Sequence, residues 1–395
     1  MQRCHQRIWE RFVHPELDII YDYVGPDGDG RPAFWWHPTA AEIARRYPNP
    51  QGWSTGMEDS SINGGVYLAA MVAAHRITGE ECYADRARHI YEGLIRTATC
   101  SSERGYIARS LTYDGALWYP ASSVDQYTWW MHGIWAYALS GLATDEQNDA
   151  MAAIAHDVCS RLERDNWEIL REDGESAYYC DIAAFRADRS TRLLEVLLTA
   201  HRLTGDEHWL DVYYDKVHEE NDRRLTSVED TLAYVASPCI VLQTAASLLP
   251  LIGLETDDAI RARYISALNA CARGMWYAIP ACYQYDRARI ESADWSPDWR
   301  KRYPPEGFRK GGIHFEPPGW AFEDEVIRRP CEAMMVVLYA ADTDPAMKHQ
   351  PVRDQLLTMM RRALTGYDYE MLHSYALVYA EAAYWLAAEK GLIQG

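Results

Sequence analysis

Basic residues are scarce relative to acidic ones: 39 Lys and Arg stand against 58 Asp and Glu, a formal net charge of −19. A nucleic-acid binder needs a cationic face to meet phosphates, so that class is set aside. No run of about 18 apolar residues occurs, which excludes a membrane-spanning helix and a membrane partner. The opening stretch, Met1 to Phe12, is charged and amphipathic and lacks the apolar core of a secretory signal, so a cytoplasmic setting is expected. The nine cysteines contain no Cys-x-x-Cys pair. Their scatter suits small buried side chains in a reducing compartment rather than a disulfide or zinc framework. No metal or cofactor is expected.

Phenylalanine is also rare, at 6 residues, whereas Tyr reaches 27 and Trp 15. A dry core takes Phe readily. Tyr and Trp carry a polar tip on an apolar plate and suit a half-wet cleft. Such plates match the apolar C–H face of a pyranose, whose rim needs hydrogen bonds. The rest of the composition is that of a globular protein, with 48% hydrophobic and 25% charged residues in a chain of 395.

Apolar residues recur at three- and four-residue spacing along most of the chain, the signature of amphipathic helices. Segments 61–78, 123–140, 191–203, 238–249, 330–341 and 370–388 are rich in apolar and small residues. Their partners at 80–98, 145–164, 206–219, 257–276 and 351–364 carry more charge, as does an opening helix over 2–12. Strand alternation is scarce; 18–24 is the best candidate. An internal repeat supports the pairing. Ala74-His75-Arg76-Ile77-Thr78-Gly79-Glu80-Glu81 returns as Ala200-His201-Arg202-Leu203-Thr204-Gly205-Asp206-Glu207, with a degenerate third copy at Tyr339 to Asp344. Each full copy fits a helix that stops at Gly and a second that starts at once with an acidic first turn. Hairpins of this kind cannot bury their apolar faces alone and must stack. The expected fold is therefore all-α, an (α/α)6 toroid of inner and outer rings, in one domain over 1–395.

The links from an inner helix to its outer partner are short. The return links, at 13–60, 99–122, 165–190, 220–237 and 277–329, are long, and a toroid gathers them on one face. Loops of this length in a compact fold are usually functional. Gly56-Met57-Glu58-Asp59-Ser60-Ser61 enters the first inner helix with more capping groups than a cap requires, which marks Asp59 and Glu58 as candidate catalytic groups. Ser122-Ser123-Val124-Asp125-Gln126-Tyr127-Thr128-Trp129-Trp130-Met131-His132 enters the second, with Ser123 and Gln126 at capping-box spacing. Asp125 joins the catalytic set, and His132 follows it on the same helix. Candidate substrate contacts are Trp53, Arg109, Tyr127, Trp129, Asp181, His314, Glu316, Trp320, Asp324 and His373. Pro330 is expected to open the fifth inner helix.

The acid-rich entry at Asp59, followed one hairpin later by Trp129-Trp130-Met131-His132-Gly133-Ile134-Trp135, resembles the six-hairpin glycosidase superfamily, and within it the unsaturated glucuronyl and rhamnogalacturonyl hydrolases. That resemblance implies a mouth aspartate that protonates a vinyl ether, here at Asp59 or Asp125. Met131-His132-Gly133 departs from the basic residue that such enzymes place before Gly. Carboxylate pairs at a mouth fit glycosidic-bond cleavage of short oligosaccharides, one group giving a proton and the other activating water. The alternatives are a polysaccharide lyase, with a Tyr or His base and an Arg against a uronate, and a glycan-binding protein without turnover.

Overall fold

The computed structural model describes residues 1–22, 59–118, 121–230, 238–278, 319–365 and 374–393. The repeat is legible in it bond for bond. Helix α2 (Ser60–Thr78) stops at Gly79, whose φ of +70° is costly for any residue with a Cβ, and α3 (Glu81–Thr99) follows directly. Thr78 Oγ1 donates to the Ala74 carbonyl at 2.8 Å and accepts the Glu80 N–H at 3.1 Å, while His75 Nδ1 lies 3.1 Å from the Glu80 carbonyl. The second copy joins α6 (Ala187–Thr204) to α7 (Glu207–Val217) through Gly205 at φ +68°. Thr204 bonds Ala200 at 2.7 Å and Asp206 at 3.1 Å, and His201 lies 3.1 Å from the Asp206 carbonyl. The third copy has no glycine. There α11 (Gly319–Tyr339) tightens into a 3-10 turn over Ala340–Asp342 instead.

The remaining helices are α1 (Gln2–Arg7, continued by a π turn over Ile8–Phe12), α4 (Val124–Ala138), α5 (Asp145–Arg164), α8 (Glu219–Val228), α9 (Pro238–Leu254), α10 (Asp258–Ala278), α12 (Gln350–Thr365) and α13 (Tyr375–Glu389). Helix α2 packs on α4, α4 on α6, α6 on α9, α9 on α11, α11 on α13, and α13 returns to α2. That closed inner ring carries an outer ring in which α3, α5, α10 and α12 each span two inner neighbours. The fold is all-α, an (α/α)6 toroid. Helices α2 and α4 approach so closely that a Cβ on Gly65 would stand 1.9 Å from the Trp129 carbonyl oxygen, and one on Gly133 would stand 2.8 Å from the Gly65 Cα. Gly133 of the aromatic motif is thus a packing glycine. The outer ring is completed by α1 against α13: Cys4 Sγ donates to the Leu377 carbonyl, and His5 Nδ1 lies 2.9 Å from Glu381 Oε1. Tyr67 of α2 donates to the other oxygen of Glu381 at 3.0 Å, so this fully buried carboxylate ties three helices together.

Several expectations are corrected. Helix α11 starts at Gly319, and Pro330 lies inside it rather than at its first turn. Its neighbours supply the packing that tolerates a missing N–H. The link at 165–190 holds an antiparallel hairpin, β1 (Glu168–Leu170) with β2 (Ser176–Asp181). The link at 220–237 begins with α8, whose first turn bends through positive φ at Glu220, Asn221 and Asp222. The segment expected as a strand at 18–24 contributes one bridge, Val13 to Ile20, among the described residues. No helix among the described residues is long and apolar enough to cross a membrane.

Candidate active site at the N-terminal ends of the inner helices

Asp59 occupies the N-cap position of α2, yet its side chain caps nothing. Its backbone N–H is held by Asp22 Oδ2 at 2.8 Å, and the carboxylate turns to other elements. Arg109 Nη2 donates to Oδ1 at 2.8 Å, Gln126 Nε2 donates to the same oxygen at 2.5 Å, and the Tyr375 hydroxyl donates to Oδ2. These donors come from the 99–122 link, from α4 and from α13. Arg109 also reaches Ser123 Oγ at 3.0 Å, which fixes the link to the start of α4. The Arg328 guanidinium of α11 lies 4.0 Å above the Tyr375 ring and 5.4 Å from Tyr379, while it bonds Glu332 at 2.8 Å. Burial, then the Asp59 and Asp22 carboxylates, push the Tyr375 phenol well above its ordinary range, so it is a donor at neutral pH. Charge-assisted bonds from several directions give Asp59 one orientation. Its side chain keeps 22% exposure.

Asp125 lies in the first turn of α4, at the same end of the ring, with its side chain 43% exposed. Arg192 of α6, at 1% exposure, donates to it at 2.7 Å. One turn further on, Glu195 is fully buried and accepts from Ser247 Oγ at 2.6 Å. Burial lifts its carboxyl from 4.5 to about 8. The stripe Asp188, Arg192, Glu195 and Thr199 therefore runs polar down the buried face of an otherwise apolar helix.

Of the expected site residues, Asp59, Asp125 and Arg109 stand at this end. Asp181 closes β2 as an exposed residue whose carboxylate accepts the Ala183 N–H at 3.0 Å, a local turn. Tyr127 is corrected: it is buried, and its hydroxyl donates to the Gly105 carbonyl at 3.0 Å and accepts the Ile107 N–H at 3.3 Å. Two positions after Asp125, it turns to the opposite side of α4 and anchors the link. His132 and Trp129 are corrected in depth. Both are buried and face a cavity bounded by the C-terminal halves of the inner helices. At 1.5 Å per residue His132 lies about 10 Å along α4 from Asp125. Trp320 and Asp324 fall in the first turns of α11. Glu58, Trp53, His314, Glu316 and His373 lie outside the described residues.

Gln126, Tyr375, Arg192, Glu195, Arg328 and Asp22 were not expected here. The available signal was charge inside apolar inner helices, as at Arg192, Glu195 and Glu332, where a buried ion must have a partner. Gln126 gave none, because it read as a capping residue.

No known protein-family profile matches the chain, and no curated protein is similar to it in sequence. Among solved structures, a sugar epimerase from a ruminal bacterium is similar over 98% of this chain and 98% of its own, with a TM-score of 0.50 at 10% identity. A polysaccharide lyase overlaps 88% of this chain and 93% of its own, with a TM-score of 0.43 at 13% identity. The first likeness supports the toroidal fold.

Proposed function

We propose that the protein is a carbohydrate-processing enzyme, a glycoside hydrolase acting on short oligosaccharides at the Asp59 end of the barrel, with residues 1–395 forming one catalytic unit. The observation that carries this reading is the state of Asp59. It stands where a residue normally caps a helix, yet three donors from three other elements hold its carboxylate aside from that task. Asp125 enters the neighbouring inner helix at the same end and is more open to solvent. Hydrolysis needs one such group to receive a proton from water and another to give one to the leaving oxygen. Similarity to a structure described as a sugar epimerase agrees with a sugar substrate.

A second reading has its own support. Removal of a proton from carbon, the step common to lyases and epimerases, needs a base beside a cation. The Asp59 carboxylate, with Arg109 on Oδ1 and the protonated Tyr375 hydroxyl on Oδ2 beneath Arg328, offers those groups.

The test is a panel of short oligosaccharides with the purified protein. New reducing ends without near-ultraviolet absorbance are expected, falling about a hundredfold in Asp59→Asn and Asp125→Asn. A product that absorbs makes the protein a lyase. A sugar changed in configuration at constant mass, seen by NMR, makes it an epimerase. Sugar binding with no product in any assay removes the enzyme reading.

A further inference from the structure

An aspartate at a helix N-cap ordinarily does two things. Its carboxylate accepts an N–H from the first turn, and its charge meets the positive end of the helix. At the start of α2 other residues do both. The Ser61 N–H, within the usual reach of an N-cap side chain, is donated to the Arg109 carbonyl at 3.1 Å. The negative charge comes from Asp22, which is 1% exposed. Asp22 Oδ2 accepts the Asp59 N–H at 2.8 Å, and Oδ1 accepts from Asn63 Nδ2, one turn into the helix, at 3.0 Å. Held by its N–H, Asp59 takes φ −135° and ψ 34°, outside the extended basin usual for an N-cap. Its carboxylate is left for Arg109, Gln126 and Tyr375.

Asp22 also reaches the helix that carries Tyr375. Its backbone carbonyl accepts the Ser374 N–H at 2.6 Å, at the N-cap of α13 and one residue before Tyr375. Asn63 Nδ2 lies 3.4 Å from Ser374 Oγ, so a side-chain link runs beside the backbone one. Asn63 and Ser374 are buried as deeply as Asp22. The turn that delivers Asp22 is braced. Tyr21 donates its N–H to the Phe12 carbonyl at 2.9 Å and its hydroxyl to the Leu111 carbonyl at 3.1 Å, two residues beyond Arg109. The two acceptors that replace the cap, on Asp22 and Arg109, are thus tied to one another. A buried carboxylate is costly, and an amide would serve where only an acceptor is needed. Here the charge has a use: burial first, then Asp59, then Asp22 raise the Tyr375 phenol, so Asp22 helps keep that hydroxyl a donor.

We propose, on the reading of Asp59 as the acting carboxylate, that Asp22 is the positioning residue of this site. It takes over the cap of α2 and so turns the Asp59 carboxylate toward Arg109, Gln126 and Tyr375. At 1% exposure it acts through the Asp59 backbone and the start of α13, not on a substrate.

The experiment pairs crystal structures of the full chain with steady-state kinetics on whichever of cellotriose, maltotriose and trigalacturonate the parent converts. In Asp22→Ala the Asp59 carboxylate is expected to leave Tyr375 and accept the Ile62 N–H of the first turn. Turnover should fall about a hundredfold with KM within about threefold. Asp22→Asn keeps the geometry. Its amide oxygen can accept the Asp59 N–H, and its NH2 can donate, once Asn63 flips, to Asn63 Oδ1, which is buried without a partner. That variant should hold Asp59 in place and keep turnover within about tenfold of the parent. Where Asp22→Ala fails to fold, Asp22→Ser serves, polar but too short to reach the Asp59 N–H. A residue that merely supported the fold would cost stability and leave kcat per folded molecule unchanged. An Asp59 carboxylate still on Tyr375 in Asp22→Ala overturns the proposal, as does a loss in Asp22→Asn as deep as in Asp22→Ala. An Asp59 that turns while turnover stays unchanged upholds the positioning and removes Asp59 from the chemistry, so the two failures are told apart.

Discussion

Replacing Glu195 by Gln is expected to flatten the pH dependence of stability between about pH 4.5 and 8. The carboxyl sits fully buried on α6, with Ser247 donating to it at 2.6 Å. Arg192 is close enough to pull its pKa down, but burial outweighs that pull, and the arginine is engaged at 2.7 Å with Asp125. The result is a carboxyl that ionises at about 8 rather than 4.5. The folded chain therefore keeps a proton that the unfolded chain has released. Stability from this group is complete below the unfolded value of 4.5 and is lost as pH rises through about 8. At about 1.4 kcal/mol per pH unit, the whole window amounts to about 5 kcal/mol. Urea unfolding at about pH 5.5 and about pH 8.5 samples some 3 kcal/mol of it. The parent protein should lose about that much more than Glu195→Gln between the two conditions, since every other titrating group is common to both. Asp125→Asn sharpens the test. It frees Arg192 to turn toward Glu195, which lowers the carboxyl and shrinks the loss as pH rises. Identical pH slopes in the parent and Glu195→Gln would refute the reasoning.

Three further outcomes are expected. His132→Phe should blunt the loss of stability on acidification by about 3 kcal/mol, because the buried imidazole titrates at about 4 instead of 6.5 and its contribution disappears as pH falls through that interval; unfolding curves at descending pH measure it. Gly65→Ala should destabilise by about 3 kcal/mol or more, since its Cβ would press on the Trp129 carbonyl, whereas Gly253→Ala, with nothing within 4 Å, should be neutral or gain a few tenths, both read from thermal unfolding. Tyr375→Phe removes one donor from Asp59 and keeps the ring under Arg328; a loss of about tenfold in turnover is expected in steady-state assays, and an unchanged rate would remove Tyr375 from the site.

The ring was legible in the sequence because helix periodicity is a local property, and because the Thr-Gly-acid turn repeats with its own hydrogen bonds at Thr78 and Thr204. Boundaries were less so. Pro330 reads as a helix start by its chemistry, but the packed interior of α11 overrides it. Asp59 was visible as an acid beyond the needs of a cap, and Asp125 as an acid in the first turn of the next inner helix. Arg109 was among the expected contacts, but Gln126 and Tyr375 were not, since they reach Asp59 only when distant segments converge. His132 and Trp129 were placed on the right helix and the wrong level: spacing tells which side of a helix a residue takes, while depth along the barrel follows from the rise per residue.

One hairpin of the toroid is assembled from opposite ends of the described chain, α13 supplying its inner arm and α1 its outer one, with the Glu381 carboxylate clasped between His5 and Tyr67. During vectorial synthesis α1 must wait, its apolar side uncovered, for α13. Closure of the circle is thus a long-range event, slow by topology, and a chaperone has most to hold at that stage. Removing residues 2–12 would leave Glu381 without its histidine and open the circle rather than shorten its edge.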